Sequence, residues 1–165
     1  MNPRLRSAVI ILVVVALDHA SKLAIRTQVS SSDLIPVIPG IFNIVHAENP
    51  GAAFSMLADA PPLVRGVFLI GVSLLLIAII GSMLWRLPAK SSVFITAALA
   101  LVFGGALGNL WDRALRGTVT DFLQVYIGSY EFPSFNVADS AITIGAALMA
   151  ALMAIDLLRN SSRAS

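Results

Sequence analysis

Long apolar segments separated by polar connections set the pattern of this chain. A helix needs about 20 residues to cross a hydrocarbon core of about 30 Å, and four segments meet that length. We predict membrane-spanning helices at about residues 8–26, 63–85, 92–110 and 138–158. The pattern therefore predicts a membrane α-helical fold, with residues 1–165 forming a single multi-pass membrane domain.

The first apolar segment could be mistaken for a secretory signal, because basic residues precede it. Its helical pattern continues, however, through Asp18, Lys22 and Arg26, whose i, i+4, i+8 spacing places them on one face. No small-x-small cleavage site closes the apolar run. We therefore interpret this segment as an uncleaved first span.

The two long connections cover residues 27–62 and 111–137. Short β-prone runs occupy Leu34 to Val37 and Ile41 to His46, and a turn signal follows at Asn49-Pro50-Gly51. The first connection is therefore predicted to form a small extramembrane sheet that lies on the helical bundle.

Composition supports a membrane protein, since 58% of the residues are hydrophobic and only 12% are charged. The formal net charge of +2 is too small to predict a nucleic-acid surface. The chain has no cysteine, which excludes disulfides, thiolate metal sites and thiol nucleophiles.

The distribution of charge predicts an orientation. The N-terminus, the second connection and the C-terminus carry six basic residues against one acidic residue, whereas the remaining regions carry five against eight. Basic residues concentrate on the cytoplasmic side of membrane proteins. Both termini are therefore expected to be cytoplasmic, with both long connections on the extracytoplasmic side.

Two of the scarce acids, Asp121 and Asp139, fall on that outer side. Carboxylates about 3 Å apart cannot both ionise readily, so a pair in contact would share one proton, as in aspartic proteases. A structural role is the alternative: Asn136 is a favoured N-cap with an acid three residues later, and Asp121 could be a loop carboxylate bonded to nearby amides. The spacing in sequence does not decide between these interpretations.

The end of the third span carries further polar residues. One helical stripe holds Gly105, Asn109, Asp112, Arg113 and Arg116. The amide of Asn109 and the guanidinium of Arg113 could hydrogen-bond an extended peptide or a carboxylate. Alternatively, Gly104 and Gly108 form a packing surface, which we favour for these glycines, and Asp112 pairs with Arg116.

Other functions have weaker support in the sequence. A zinc site is poorly supported because His19 and His46 are the only histidines, and no glycine-rich phosphate loop precedes a helix. A small transporter that titrates Asp18, Asp121 and Asp139 remains open, but its polar groups cluster on one side of the membrane. A scaffold packed through small residues also remains open, but it leaves the outer polar cluster unexplained.

Five short blocks occur in the order typical of one known family. They are DHASK at 18–22, NPGAAFS at 49–55, GGALGNLWDR at 104–113, VTDF at 119–122 and FNVAD at 135–139. The ordered set closely resembles bacterial lipoprotein signal peptidase, the type II signal peptidase, across nearly the whole chain. Pro50 fills a position that the family leaves variable.

The resemblance implies a fold, a site and a substrate. The fold would be four transmembrane helices with a small extracytoplasmic β-cradle, in the bacterial cytoplasmic (inner) membrane. The catalytic dyad would be Asp121 and Asp139. Supporting residues would be Asp18, Lys22, Asn49, Gly105, Asn109, Arg113 and Asn136.

The implied substrate is a prolipoprotein that already carries diacylglyceryl on its lipobox cysteine, cleaved just before that cysteine by a water activated between the two aspartates. The active site would lie at the extracytoplasmic side, in contact with membrane lipid. We expect a monomer that needs no metal or organic cofactor and binds no nucleic acid.

Overall fold

The computed structural model describes residues 2–51 and 61–164. The elements follow one another as α1 (Pro3–Gln28), β1 (Leu34–Ile38), β2 (Phe42–Asn49), α2 (Pro62–Trp85), α3 (Val93–Arg116), β3 (Val119–Ile127), β4 (Tyr130–Phe135) and α4 (Val137–Ala164). All four helices are long and apolar enough to cross a membrane, and the strands form a small antiparallel sheet. The predicted fold class is confirmed.

Helix α3 is the central element of the bundle, because it packs against each of the other three helices. Glycines permit this close approach: a Cβ on Gly104 would lie 3.0 Å from Cβ of Val14, and one on Gly108 would lie 2.5 Å from Oδ2 of Asp18. The predicted packing role of these two glycines is therefore confirmed.

The ends of α3 follow from local chemistry. The side chain of Ser92 accepts a hydrogen bond from the backbone N–H of Phe94 and caps the first turn. Gly117 ends the helix in the left-handed conformation at φ 76°, which glycine adopts without steric cost. Helix α3 continues six residues past the predicted end of the apolar span at 110, and it includes Asp112 and Arg113, as the predicted helical stripe requires.

The sheet has four strands in the order β1-β2-β3-β4, and every neighbouring pair is antiparallel. Only strands in the first connection were predicted; β3 and β4 lie in the second, where the sequence interpretation included no sheet. In the register of β2 and β3, Glu48 lies opposite Thr120 and Ala47 lies opposite Asp121. Asp121 therefore lies on a central strand of the sheet, next to the helical bundle.

The outward faces of the helices are apolar. Leu12, Leu63 and Leu157 are each more than two thirds exposed when no membrane surrounds the chain. Exposed apolar side chains on long helices are favourable against lipid but not against water. The helices therefore present a lipid-facing surface, and polar groups are buried among them.

Candidate active site

Asp139 lies in the first turn of α4, and Asn136 is the residue that caps this turn. Oδ1 of Asn136 accepts a hydrogen bond of 2.9 Å from the backbone N–H of Asp139, and Oδ2 of Asp139 accepts one of 3.2 Å from the N–H of Asn136. This reciprocal arrangement is a capping box. The capping role that the sequence offered as an alternative is therefore present, and Oδ1 of Asp139 is left to face other groups.

The fully buried side chain of Asn136 also reaches the second aspartate. Its Nδ2 donates a hydrogen bond of 2.7 Å to Oδ1 of Asp121 on strand β3. One residue therefore hydrogen-bonds both carboxyl groups, one through its backbone and one through its side chain. The structure brings Asp121 and Asp139 into the same site.

Two further side-chain amides donate hydrogen bonds to the carboxyl groups of Asp121 and Asp139. Asn49 of β2 donates through Nδ2 to Oδ2 of Asp121 at 2.9 Å, and Asn109 of α3 donates to Oδ1 of Asp139 at 2.7 Å. Each aspartate oxygen thus accepts a hydrogen bond from an amide. Because the four donors come from three residues that are far apart in sequence, the contacts orient both carboxyl groups within the folded chain.

Burial and charge make Asp121 a weaker acid than usual. Its side chain is almost fully buried, which raises its pKa, and the neighbouring charge of Asp139 raises it further. Hydrogen bonds from Asn49 and Asn136 oppose these effects, and the resulting pKa is about 6. Asp121 therefore keeps a proton at pH values where an ordinary aspartate is ionised.

A buried ion cluster supports the site from helix α1. Nζ of Lys22 lies 2.8 Å from Asp18 and 2.9 Å from Asp112, and it donates to Oδ1 of Asn109 at 3.1 Å. Burial without a partner would be costly for each of these charges, so the pairing is needed for the cluster to persist. Lys22 thereby holds the oxygen of the Asn109 amide and leaves its nitrogen for Asp139.

The same cluster ties α1 to the other elements. Oδ1 of Asp18 accepts a hydrogen bond of 2.9 Å from the backbone N–H of Ala138, at the start of α4. Asp112 is paired with Lys22 and with Arg26, whose Nη1 lies 3.4 Å away. The structure therefore pairs Asp112 with helix α1 and not with Arg116, the partner considered from the sequence.

Arg113 and Gly105 occupy different places around the dyad. Arg113 lies within electrostatic reach of both aspartates, and its Nη2 donates to the carbonyl oxygen of Gly51 at 3.1 Å. Its buried Nε has no hydrogen-bond partner among residues 2–51 and 61–164. Gly105 contacts the carbonyl of Ala138, so it packs α3 against α4 behind the site. Substrate binding by either residue stays a prediction.

Sequence reasoning missed Asp112 and Arg26 as members of the buried ion cluster that supports the site. The i, i+4, i+8 face of Asp18, Lys22 and Arg26 signalled a polar partner surface, but not which residues supply it. Residues 52–60, which hold most of the NPGAAFS block, lie outside the described residues. Within the described part of the chain, no group of three or more His, Asp or Glu residues could hold a metal ion.

The sequence is similar to a family model and to individual proteins whose names agree with the description of that model. A family model described as Signal peptidase (SPase) II matches residues 10–155. A lipoprotein signal peptidase of Desulforapulum autotrophicum is 44% identical over 147 residues, covering 88% of this chain and 90% of its own length. One from Yersinia pestis is 46% identical over 140 residues, covering 83% and 79%.

A solved structure is also similar. It is described as a bacterial membrane enzyme structure obtained by the in meso method at 2.3 Å resolution, and it superposes with a TM-score of 0.81. Its sequence is 34% identical, and the match covers 96% of this chain and 91% of that chain. The likeness extends over nearly the whole membrane bundle and sheet.

Proposed function

Because the chain belongs to the signal peptidase II family and is therefore a peptidase, we propose that Asp121 and Asp139 are its catalytic pair. The observation that carries this proposal is the double contact of Asn136 with both carboxyl groups. Two carboxyl groups held together share a proton, which supplies one acid and one base. Neither a transporter nor a passive scaffold requires this arrangement.

The roles follow from the surroundings of each carboxyl group. Asp121 is the more deeply buried of the two carboxyl groups, and its pKa is raised to about 6, so we assign it the shared proton and the role of acid. Asp139 is only half-buried and accepts a proton from the attacking water. As the water oxygen bonds to the peptide carbonyl carbon, Asp121 donates its proton to the carbonyl oxygen.

Collapse of the resulting gem-diol restores the pair. One hydroxyl returns its proton to Asp121 while the carbon–nitrogen bond breaks, and Asp139 passes the water proton to the leaving amine. The enzyme ends with the same single proton on Asp121. The amides of Asn49, Asn109 and Asn136 keep the two carboxyl groups aligned throughout, which is the positioning that such proton transfers require.

The substrate class follows from the family. The matched relatives are named lipoprotein signal peptidases, which supports the precursor of a lipoprotein as the substrate of this chain. We propose that this chain cleaves a diacylglyceryl-modified prolipoprotein just before the lipidated cysteine. Burial of acyl chains contributes about 0.8 kcal/mol per CH₂, so the lipid can place the scissile bond at a constant depth.

The position of the dyad fits a substrate held in the membrane. Asp139 lies at the start of α4 and Asp121 on a strand next to α3, so the pair sits where the bundle meets the sheet. With basic residues concentrated at the opposite end, we propose that this end faces outward from the bacterial inner membrane. The acting unit is proposed to be a monomer.

Purified protein in lipid nanodiscs tests the reaction. It is incubated with one prolipoprotein before and after diacylglyceryl transfer, and the products are identified by mass spectrometry. The account predicts cleavage of the modified form only, with the new N-terminus at the lipidated cysteine. Cleavage at another bond, or equal cleavage of the unmodified form, would contradict the proposed substrate.

A further inference from the structure

Thr120 lies directly before Asp121 on strand β3, and its side chain is fully buried. Successive side chains of a strand point to opposite faces, so Thr120 and Asp121 cannot point the same way. Thr120 therefore contacts groups on the side of the strand away from the carboxyl pair. Contacts that fix the Thr120 side chain therefore also fix the adjoining backbone of Asp121.

The hydroxyl of Thr120 is held between a cation and an anion. Its Oγ1 accepts a hydrogen bond of 3.0 Å from Nη1 of Arg26 on α1, and it donates one of 2.9 Å to Oε1 of Glu48 on β2. A hydroxyl has one hydrogen, so donation to Glu48 leaves its lone pairs for the guanidinium. Both partners are charged, and hydrogen bonds to charged groups are the stronger kind.

Glu48 is held firmly in its ionised form. Burial opposes ionisation, but hydrogen bonds with Thr118, Thr120 and His46 together outweigh it, and the pKa of Glu48 lies below the usual value. Glu48 also lies directly opposite Thr120 in the register of β2 and β3. The anion that receives the Thr120 hydroxyl is thus fixed on the neighbouring strand.

Arg26, which bonds Thr120, also belongs to a set of polar contacts that reaches Asp139. Its Nη1 lies 3.4 Å from Asp112, and Asp112 is paired with Lys22 at 2.9 Å. Lys22 holds the Asn109 amide, which donates to Asp139. A continuous polar path, running through Glu48, Thr120, Arg26, Asp112, Lys22 and Asn109, therefore joins strand β2 to Asp139.

We propose that Thr120 is a positioning residue, whose hydroxyl fastens strand β3 between Arg26 and Glu48 and so sets Asp121 against Asp139. The inference rests on the proposed catalytic pair, but it concerns a residue on the opposite face of the strand. Displacements of about 1 Å can lower a rate by 10²-fold, so the fastening of this strand matters to turnover.

The experiment compares three variants in nanodiscs. Thr120→Val keeps the shape and removes the hydroxyl, whereas Thr120→Ser keeps the hydroxyl. Thr118→Val is the matched control, because Thr118 donates to Glu48 but has no hydrogen bond to Arg26. We expect kcat to fall about tenfold in Thr120→Val with KM unchanged, and to be restored in Thr120→Ser.

A titration of Asp121 supplies a readout that does not depend on turnover. Among residues 2–51 and 61–164, the charged groups that act on Asp121 are Lys22 of α1, Arg113 of α3 and Asp139 of α4, and none of them is altered by these variants. With aspartate labelled with carbon-13 at its carboxyl carbon, we expect the Asp121 pKa to shift in Thr120→Val and not in Thr118→Val.

The outcomes separate the two proposals. If Thr120→Val matches Thr118→Val in kcat and in the Asp121 titration, the positioning role is contradicted, even where thermal stability falls. If the wild type cleaves no prolipoprotein, the proposed function fails, and the titration still decides whether Thr120 positions Asp121.

Discussion

Nδ2 of Asn136 lies 2.7 Å from Oδ1 of Asp121, so the residue that caps helix α4 also holds the carboxyl group on strand β3. The start of a transmembrane helix and a strand of the extramembrane sheet are thereby joined at one side chain. Because the backbone of Asn136 contacts Asp139 as well, folding of this cap assembles the pair.

The pH dependence of the reaction tests the role of Asp121 as the acid. The hydrogen bond from Asn49 favours the ionised form, so Asn49→Ala is expected to raise the Asp121 pKa above about 6. The proton then persists to higher pH, and the loss of kcat/KM on the basic side should move upward. A profile recorded from pH 4 to 9 checks this.

Asn43→Ala is the control for that profile, since Asn43 is a buried amide of the same strand that hydrogen-bonds Gln124 and not Asp121. An upward shift in both variants would point to a general change in the sheet. No shift in Asn49→Ala would show that Asn49 does not govern the titration.

Arg113→Lys tests whether a planar guanidinium is needed beside the dyad. Arg113 bonds the carbonyl of Gly51 while lying near both aspartates, and a lysine keeps the charge but loses the fork of donors. We expect kcat/KM to fall about tenfold, the effect of one charge-assisted hydrogen bond. Arg116→Lys, an exposed change on the same helix, should leave kcat/KM unaltered.

Gly105→Ala tests the close approach of α3 and α4. The added Cβ would collide with the carbonyl oxygen of Ala138, and it would lie 2.7 Å from Cγ1 of Ile142. A backbone atom cannot rotate away, so we expect a loss of about 1–3 kcal/mol in stability. Thermal unfolding in detergent measures this, with Gly71→Ala as control because nothing lies within 4 Å of its Cβ position. Equal melting temperatures would contradict the packing.

Lys22→Met tests the buried ion cluster. Methionine approximates the length of lysine but leaves Asp18 without its cation and removes one cation from Asp112, which costs about 3–5 kcal/mol. We expect a large fall in melting temperature, while exposed Lys90→Met changes little. Adding Asp18→Asn to Lys22→Met should recover part of the loss, because one uncompensated charge is removed.

The spans could be predicted from sequence because lipid imposes a minimum apolar length on each helix. The face shared by Asp18 and Lys22 was likewise visible, since helical spacing is fixed. The apolar third span is predicted to end near residue 110, and the polar stripe that continues to Arg116 is predicted to be helical, which the extent of α3 to Arg116 confirms. Within this helix Asp112 pairs with Lys22 of α1, and Nη2 of Arg113 donates to the carbonyl oxygen of Gly51.

Strands β3 and β4 could not be predicted from the sequence pattern. Strand β3 is buried at Val119, Thr120, Asp121 and Phe122 in succession, so it lacks the alternation that marks a half-exposed strand. Asp121 is brought near Asp139 by the pairing of β3 with β2, a tertiary contact that the local sequence pattern does not reveal. The charge pattern alone places the two acids on one side of the membrane, and only the resemblance to a known family implies that they form a pair.

The assignment of the catalytic pair is tested by single-turnover cleavage of a diacylglyceryl-modified prolipoprotein by Asp121→Asn and Asp139→Asn, with the exposed Asp156→Asn as matched control. Each dyad substitution removes a proton-transfer partner, so the account predicts a rate at least about 10²-fold below wild type in folded protein, with Asp156→Asn unchanged. Cleavage near the wild-type rate by either folded dyad variant would contradict the assignment of the catalytic pair.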